Sequence, residues 1–205
     1  MIINLREPYQ VEKKFSEALE KINGELDVLI LCHGYIKHES ILTTNILQWD
    51  EMMNLNVRTN FQLISLAVPF LKKQMEKDKV SIVAKVKERD QLKLRVAGGG
   101  TEQEHERLRL LSHEIEGLCK QNIVVLTSSA GETPQPGALI YSTSMSMLNM
   151  LIQCTALETA FFGIRVNGVA PGVTVTNARK KPESLGKDFD NDKFLNEASH
   201  KVPLL

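Results

Sequence analysis

Three cysteines in 205 residues (Cys32, Cys119 and Cys154), far apart and with no CxxC pair, exclude a disulfide framework and a thiolate zinc site and point to a reducing compartment. The five histidines form no HExxH or comparable ligand spacing, so no metal is expected. No apolar run approaches the roughly 18 residues that a membrane span requires. The N-terminus also lacks the basic stretch and apolar run of a secretory leader. An excess of one charge is missing too: 25 basic residues face 25 acidic ones, which removes the electrostatic motive for binding nucleic acid or an acidic membrane. Internal repeats are absent. What remains is a soluble, intracellular chain of ordinary composition, long enough for one domain over residues 1–205, with its compartment unassigned.

The residues that are present alternate between two periods. Val11, Phe15, Ala18, Leu19 and Ile22 recur at helical spacing after Pro8, and Gly24 stands where such a helix stops. Asp27–Leu31 is a continuous apolar run, which predicts a strand buried on both faces of a parallel sheet, as do 123–126 and 164–169. Asn45 with Gln48 spells a capping box opening a long helix to about Leu71. A second long helix is predicted over Tyr141–Phe162, with Met145, Met147 and Met150 as core.

Residues 76–121 break this rhythm as an inserted charged segment. Val80 and Ile82, then Leu92, Leu94 and Val96, alternate about Lys87-Glu88-Arg89-Asp90, which predicts a β-hairpin with an irregular turn. Gly98-Gly99-Gly100 lacks the GxxxxGK[ST] spacing of a phosphate loop and reads as a connector. After it comes a charged helix over 101–119, with Leu108, Leu111, Ile115 and Leu118 as its stripe. Beyond the last strand, 180–192 is polar and Phe194–Lys201 reads as helical. Strand–helix alternation with apolar strands predicts an α/β sheet with helices on both faces.

At the centre of the chain lies Ser128, then Tyr141 thirteen positions on and Met145 one helical turn further. With Trp49-Asp50, Asn56-Val57, Arg165-Val166-Asn167, Pro171-Gly172, Thr176 and Pro203-Leu204 in this order, the chain resembles the short-chain dehydrogenase/reductase family. The resemblance implies a Rossmann-like, doubly wound parallel sheet. It implies Ser128, Tyr141 and Asn56 as counterparts of catalytic residues. Asn4, Gly34, Pro171, Gly172 and Thr176 are the cofactor-side counterparts. In that family the tyrosine exchanges a proton with a carbonyl or alcohol oxygen. An ordinary phenol, with a pKa of about 10, needs a neighbouring ammonium to do so near neutrality.

Three departures qualify what the resemblance implies. Methionine stands at 145 where the family has lysine, and a thioether carries no charge and holds no ribose. No TGxxxGxG-like turn is present, so at least one strand–helix–strand unit of about 30 residues is missing. The Asn-Asn-Ala-Gly turn has become Leu31-Cys32-His33-Gly34. The expectation is therefore a fold lacking its first strand–helix units, with Asp27–Leu31 left as a bare edge, and no cofactor or only weak NAD(P) binding. The function expected is that of an interaction subunit without full activity; the alternative is an NAD(P)(H)-dependent oxidoreductase of carbonyl or alcohol substrates, truncated or impaired. Self-association or membership of a larger assembly is expected through helices 45–71 and 141–162 and the 76–121 insertion, with no nucleic acid and no membrane span.

Overall fold

The computed structural model describes residues 4–118 and 120–174. Helix α1 (Pro8–Lys21) leads to strand β1 (Val28–Leu31), α2 (Ile46–Met53), a π-helical turn (Asn54–Arg58) and α3 (Thr59–Ala97). Helix α4 (Glu102–Leu118), β2 (Asn122–Leu126), a 3₁₀ turn (Ser129–Gly131), α5 (Leu139–Ala160) and β3 (Arg165–Val169) complete the order. The strands form one parallel sheet in the order β1-β2-β3, with Leu29, Ile123 and Val166 in register. The readings on Met1–Ile3, Cys119, Thr176, 180–192, 194–201 and Pro203-Leu204 lie outside the described residues.

Local chemistry fixes the ends of these elements. Proline at the first position of α1 presets the backbone for a helix. Asn23 and Gly24 then close it in the left-handed region, with the Gly24 N–H donating to Leu19 O at 2.8 Å. The capping box at α2 is formed in full: Gln48 N donates to Asn45 Oδ1 at 3.1 Å, and Asn45 N donates to Gln48 Oε1 at 2.8 Å.

One core holds the sheet. Leu29, Leu31, Ile123, Val125 and Val166 point to the same face and pack with Val11 of α1, Leu63, Ile64, Ala67 and Leu71 of α3, and Met145, Leu148 and Ile152 of α5. Gly168 lies on this face, where a Cβ would stand 3.2 Å from Ile152 Cδ1, so its missing side chain lets α5 approach. The expectation of strands buried on both faces is corrected. Val28, Ile30, Leu126 and Val169 point the other way and are exposed, because α1, α3 and α5 all cover the same side. β1 is an edge of the sheet, and the charged insertion does not pair with it.

The predicted hairpin is also corrected. Residues 80–96 lie inside α3, a 39-residue helix that α4 joins antiparallel to form a helical arm. Leu92, Leu111 and Ile115 give the arm its own small core, and the Arg107–Glu88 and Lys85–Glu114 ion pairs join the two helices, with Arg107 and Glu114 also paired along α4. The three glycines make the turn between them: Gly99 has φ +97°, and a Cβ on Gly100 would stand 2.9 Å from Val96 Cα. Since α3 runs against the strands and α4 returns to the start of β2, the arm projects from the amino ends of the strands. Met147 and Met150 are exposed rather than core, because α5 turns Met145, Leu148 and Ile152 inward instead. Among the described residues no helix is long and apolar enough to cross a membrane.

Candidate active site

The carboxyl ends of the strands, where parallel α/β sheets bind ligands, carry the residues singled out by sequence. β1 runs into Cys32-His33-Gly34, β2 into Thr127-Ser128, and β3 into Pro171-Gly172. The β2 and β3 exits stay together, with Thr127 N donating to Val169 O at 2.8 Å and Ser129 N to Pro171 O at 3.1 Å. Ser128 caps the 3₁₀ turn, its Oγ accepting from Ala130 N at 3.2 Å, and its own O–H remains free to donate to a ligand oxygen.

That turn is pressed onto α5. A Cβ on Gly131 would come within 2.8 Å of the Met145 carbonyl carbon and 2.9 Å of Asn149 Nδ2, while Ser146 Oγ donates to Gly131 O at 2.5 Å. Backbone cannot give way as a flexible side chain does. Gly131→Ala is therefore expected to cost about 1–3 kcal/mol, read as a lowered urea midpoint, with the Ser128 loop pushed off the helix.

Asn56 is the hub of the site. It sits within the π-helical turn, fully buried, with every polar hydrogen and its carbonyl oxygen engaged. Its Oδ1 accepts from Tyr35 N at 2.7 Å, and its Nδ2 donates to Tyr35 O at 2.8 Å and to Ser144 Oγ at 2.9 Å. Ser144 Oγ donates in turn to the Tyr141 carbonyl at 2.8 Å. The chain after β1, the helix break and the first turn of α5 are thereby locked together. A π-turn leaves carbonyls outside the helical ladder; here Thr59 Oγ1 and Asn60 Nδ2 donate to Asn54 O and Asn56 O at 2.9 and 2.7 Å.

Sequence reasoning missed Ser144. Its only signal was a small hydroxylic residue three places after Tyr141, on the inward side of a helix.

A second tie sets the start of α5. Glu39 N donates to Gly137 O at 2.7 Å, and the Glu39 carboxylate takes Gln48 Nε2 at 2.7 Å and Lys37 Nζ at 2.5 Å. Lys37 holds Glu39 below the usual carboxylate range, with Gln48 adding to the effect. Tyr141, half-buried against the core one turn before Met145, presents its phenol with no hydrogen-bond partner among the described residues.

The remaining candidates are less close-knit. Gly34 is exposed, and a Cβ there would stand 3.8 Å from Asn56 Oδ1. Gly172 faces open space. Asn4 makes a local turn, its Oδ1 accepting from Arg6 N at 3.1 Å, and Arg6 pairs with Glu51 of α2. Cys32 is exposed. His33 is half-buried; burial pushes its pKa down, against a smaller upward pull from a hydrogen bond to the Leu55 backbone.

His33 is therefore neutral in the fold at neutral pH, and the unfolded chain binds its proton more readily. Its stabilising contribution is complete above the ordinary histidine value of about 6.5 and is lost as the pH falls below it. His33→Gln is expected to flatten the fall in stability between about pH 6.5 and 5, measured as urea midpoints across that window.

A nicotinamide dinucleotide fits these residues at one end only. Ser128, Tyr141 and Gly172 are the counterparts that the family resemblance places at the nicotinamide end, and Ser129 N holds Pro171 O beside them. At the ribose, Met145 is packed in the core and offers no donor. For the pyrophosphate, β1 leads through His33-Gly34 into an extended segment rather than a helix whose N-terminus could hold phosphate. The fit is partial, confined to the nicotinamide end, and no step is derived through the dinucleotide.

A parallel sheet with Ser128 at the carboxyl end of β2, and with the first turn of α5 tied to a buried asparagine, is a Rossmann-like arrangement. The sequence model of the short chain dehydrogenase family matches residues 2–87 and 109–184, and the chain belongs to this family. An uncharacterized oxidoreductase of Thermotoga maritima is 28% identical over 185 residues, covering 87% of this chain and 55% of that protein. Dehydrogenase/reductase SDR family member 6 of Danio rerio is 25% identical over 180 residues, 84% of this chain and 56% of its own length. The structure of NAD⁺-bound xylitol dehydrogenase superposes with a TM-score of 0.68 at 16% identity, over 99% of this chain and 64% of that one. The chain thus spans about half the length of these curated relatives.

Proposed function

We propose that the protein acts in NAD(P)(H)-dependent oxidoreduction of carbonyl or alcohol substrates, with weak cofactor binding and a depressed rate. Tyr141 exchanges the proton with the substrate oxygen and Ser128 orients that oxygen. The observation that carries this reading is the Asn56–Ser144–Tyr141 network, fully bonded and buried, which fixes the helical turn bearing the phenol. Family membership supports it, and Met145 accounts for the depressed rate.

The test is reduction of a panel of small aldehydes and ketones with either reduced nicotinamide cofactor. Turnover that disappears in Tyr141→Phe supports the reading. No turnover, together with no cofactor binding at millimolar concentration, overturns it.

A second reading, association without catalysis, is favoured by one feature. Met147, Met150, Cys154, Leu157 and Phe161 follow at spacings of three and four along the outer side of α5, all exposed, Leu157 to 80% and Phe161 to 92%. A helix apolar on both sides is normally covered on both. Assembly through this row is compatible with either reading. It is tested by the loss of self-association in Leu157→Glu, followed by sedimentation.

A further inference from the structure

The outer face of the helical arm carries a row that reads the same from either end. Val83, Lys87, Asp90 and Leu94 follow on α3 at spacings of four, three and four, the repeat of a coiled-coil seam. All four are exposed, Leu94 to 79%, because α4 occupies the opposite side of the helix against Leu92. Val83 and Leu94 are equally distant from the peptide joining Glu88 to Arg89, and so are Lys87 and Asp90.

We propose that this row pairs with its own copy on a second chain, α3 against α3, antiparallel, about a two-fold axis that runs between the two helices at the level of that peptide. Val83 then meets Leu94 of the partner subunit, and Lys87 meets Asp90 of the partner subunit, each contact occurring twice. A two-fold interface must be self-complementary, residue i on j and j on i, and this row satisfies that condition in both apolar size and charge. Among the described residues Lys87 makes no ion pair. Asp90 is bonded by its neighbour Arg89 at 2.8 Å, an exposed pair that leaves a carboxylate oxygen for the lysine.

A charged pair within a seam weakens it but fixes orientation and register, since a parallel pairing would set lysine on lysine. Balanced charge and only two apolar side chains argue against a nucleic acid or a lipid surface as the occupant. The gap in the family match, residues 88–108, takes in Asp90, Leu94 and the turn of the arm, while Val83 and Lys87 fall within the matched residues. The row spans about 16 Å of helix, a short seam, so pairing depends on protein concentration.

The test uses two single variants of the full chain, Lys87→Glu and Asp90→Lys. Both sites are exposed and both new residues suit a helix. Each variant alone places like charges at both paired sites, and its self-association is expected to weaken about tenfold or more. Mixed in equal amounts, the two variants present opposite charges at both sites, and sedimentation velocity is expected to return the wild-type species. Single variants that sediment as wild type would place the assembly elsewhere, on α5, and overturn the proposal. So would a mixture that sediments as the sum of its two components.

Discussion

Asn56→Leu is expected to lower folding stability by about 3–5 kcal/mol, the largest loss from any single side chain in the site. Leucine approximates the volume but removes all three hydrogen bonds, leaving the part-buried Tyr35 N and Tyr35 O without this partner and the buried Ser144 Oγ with only its bond to Tyr141 O. Each orphaned buried group costs about 1–3 kcal/mol, which far exceeds the small apolar gain of the substitution. The midpoint of thermal unfolding should fall by roughly 10 °C. Ser144→Ala breaks both bonds of that hydroxyl, the one from Asn56 Nδ2 and the one to Tyr141 O, and its cost should be about 1–3 kcal/mol. A double-mutant cycle between the two positions should show a coupling of at least about 0.5 kcal/mol; additive losses would mean that Asn56 and Ser144 act independently. Because Ser144 holds the Tyr141 carbonyl, both variants should also lose turnover in proportion greater than their loss of folded protein.

How much of this was readable in the sequence depended on how local the cause was. The Asn45–Gln48 capping box and the helix beginning at Pro8 are decided by neighbours in the chain, and both form as expected. The 80–96 segment failed as a hairpin because sparse apolar residues in a charged stretch fit two periods at once. In a strand Leu92 and Leu94 would share a face; in the helix Leu92 is buried against α4 and Leu94 is exposed. The partner that decides the matter, Leu111, lies beyond the glycine turn.

Burial on both faces was misjudged for a related reason. Val28 and Ile30 have the composition of covered strand residues, but composition does not report whether the covering helix is there. Within the site, resemblance pointed to Asn56, whereas Ser144 depends on an asparagine 88 positions away and had no local signature.

Met145→Lys should move stability and activity in opposite directions. Met145 is 3% exposed and lies in the main core with Leu148 and Ile152, so an ammonium there has lost its water and gained no carboxylate. Burial depresses the lysine pKa in the fold, and the unfolded chain then holds the proton more tightly. The penalty is present at neutral pH, at about 3 kcal/mol, and fades as the pH rises toward the ordinary lysine value of about 10.4. Met145→Leu, which conserves volume, should cost under about 1.5 kcal/mol and show no such recovery, separating charge from packing.

The same ammonium, one helical turn beyond Tyr141, favours the phenolate and supplies the donor that the ribose lacks. In carbonyl reduction by the folded fraction, turnover should rise by about 10²–10⁴-fold over the parent chain. If Met145→Lys folds, shows the alkaline recovery of stability and still has no added turnover, the tyrosine is not what limits the reaction. The limit then lies with the phosphate cradle, and association becomes the better account of what the chain does.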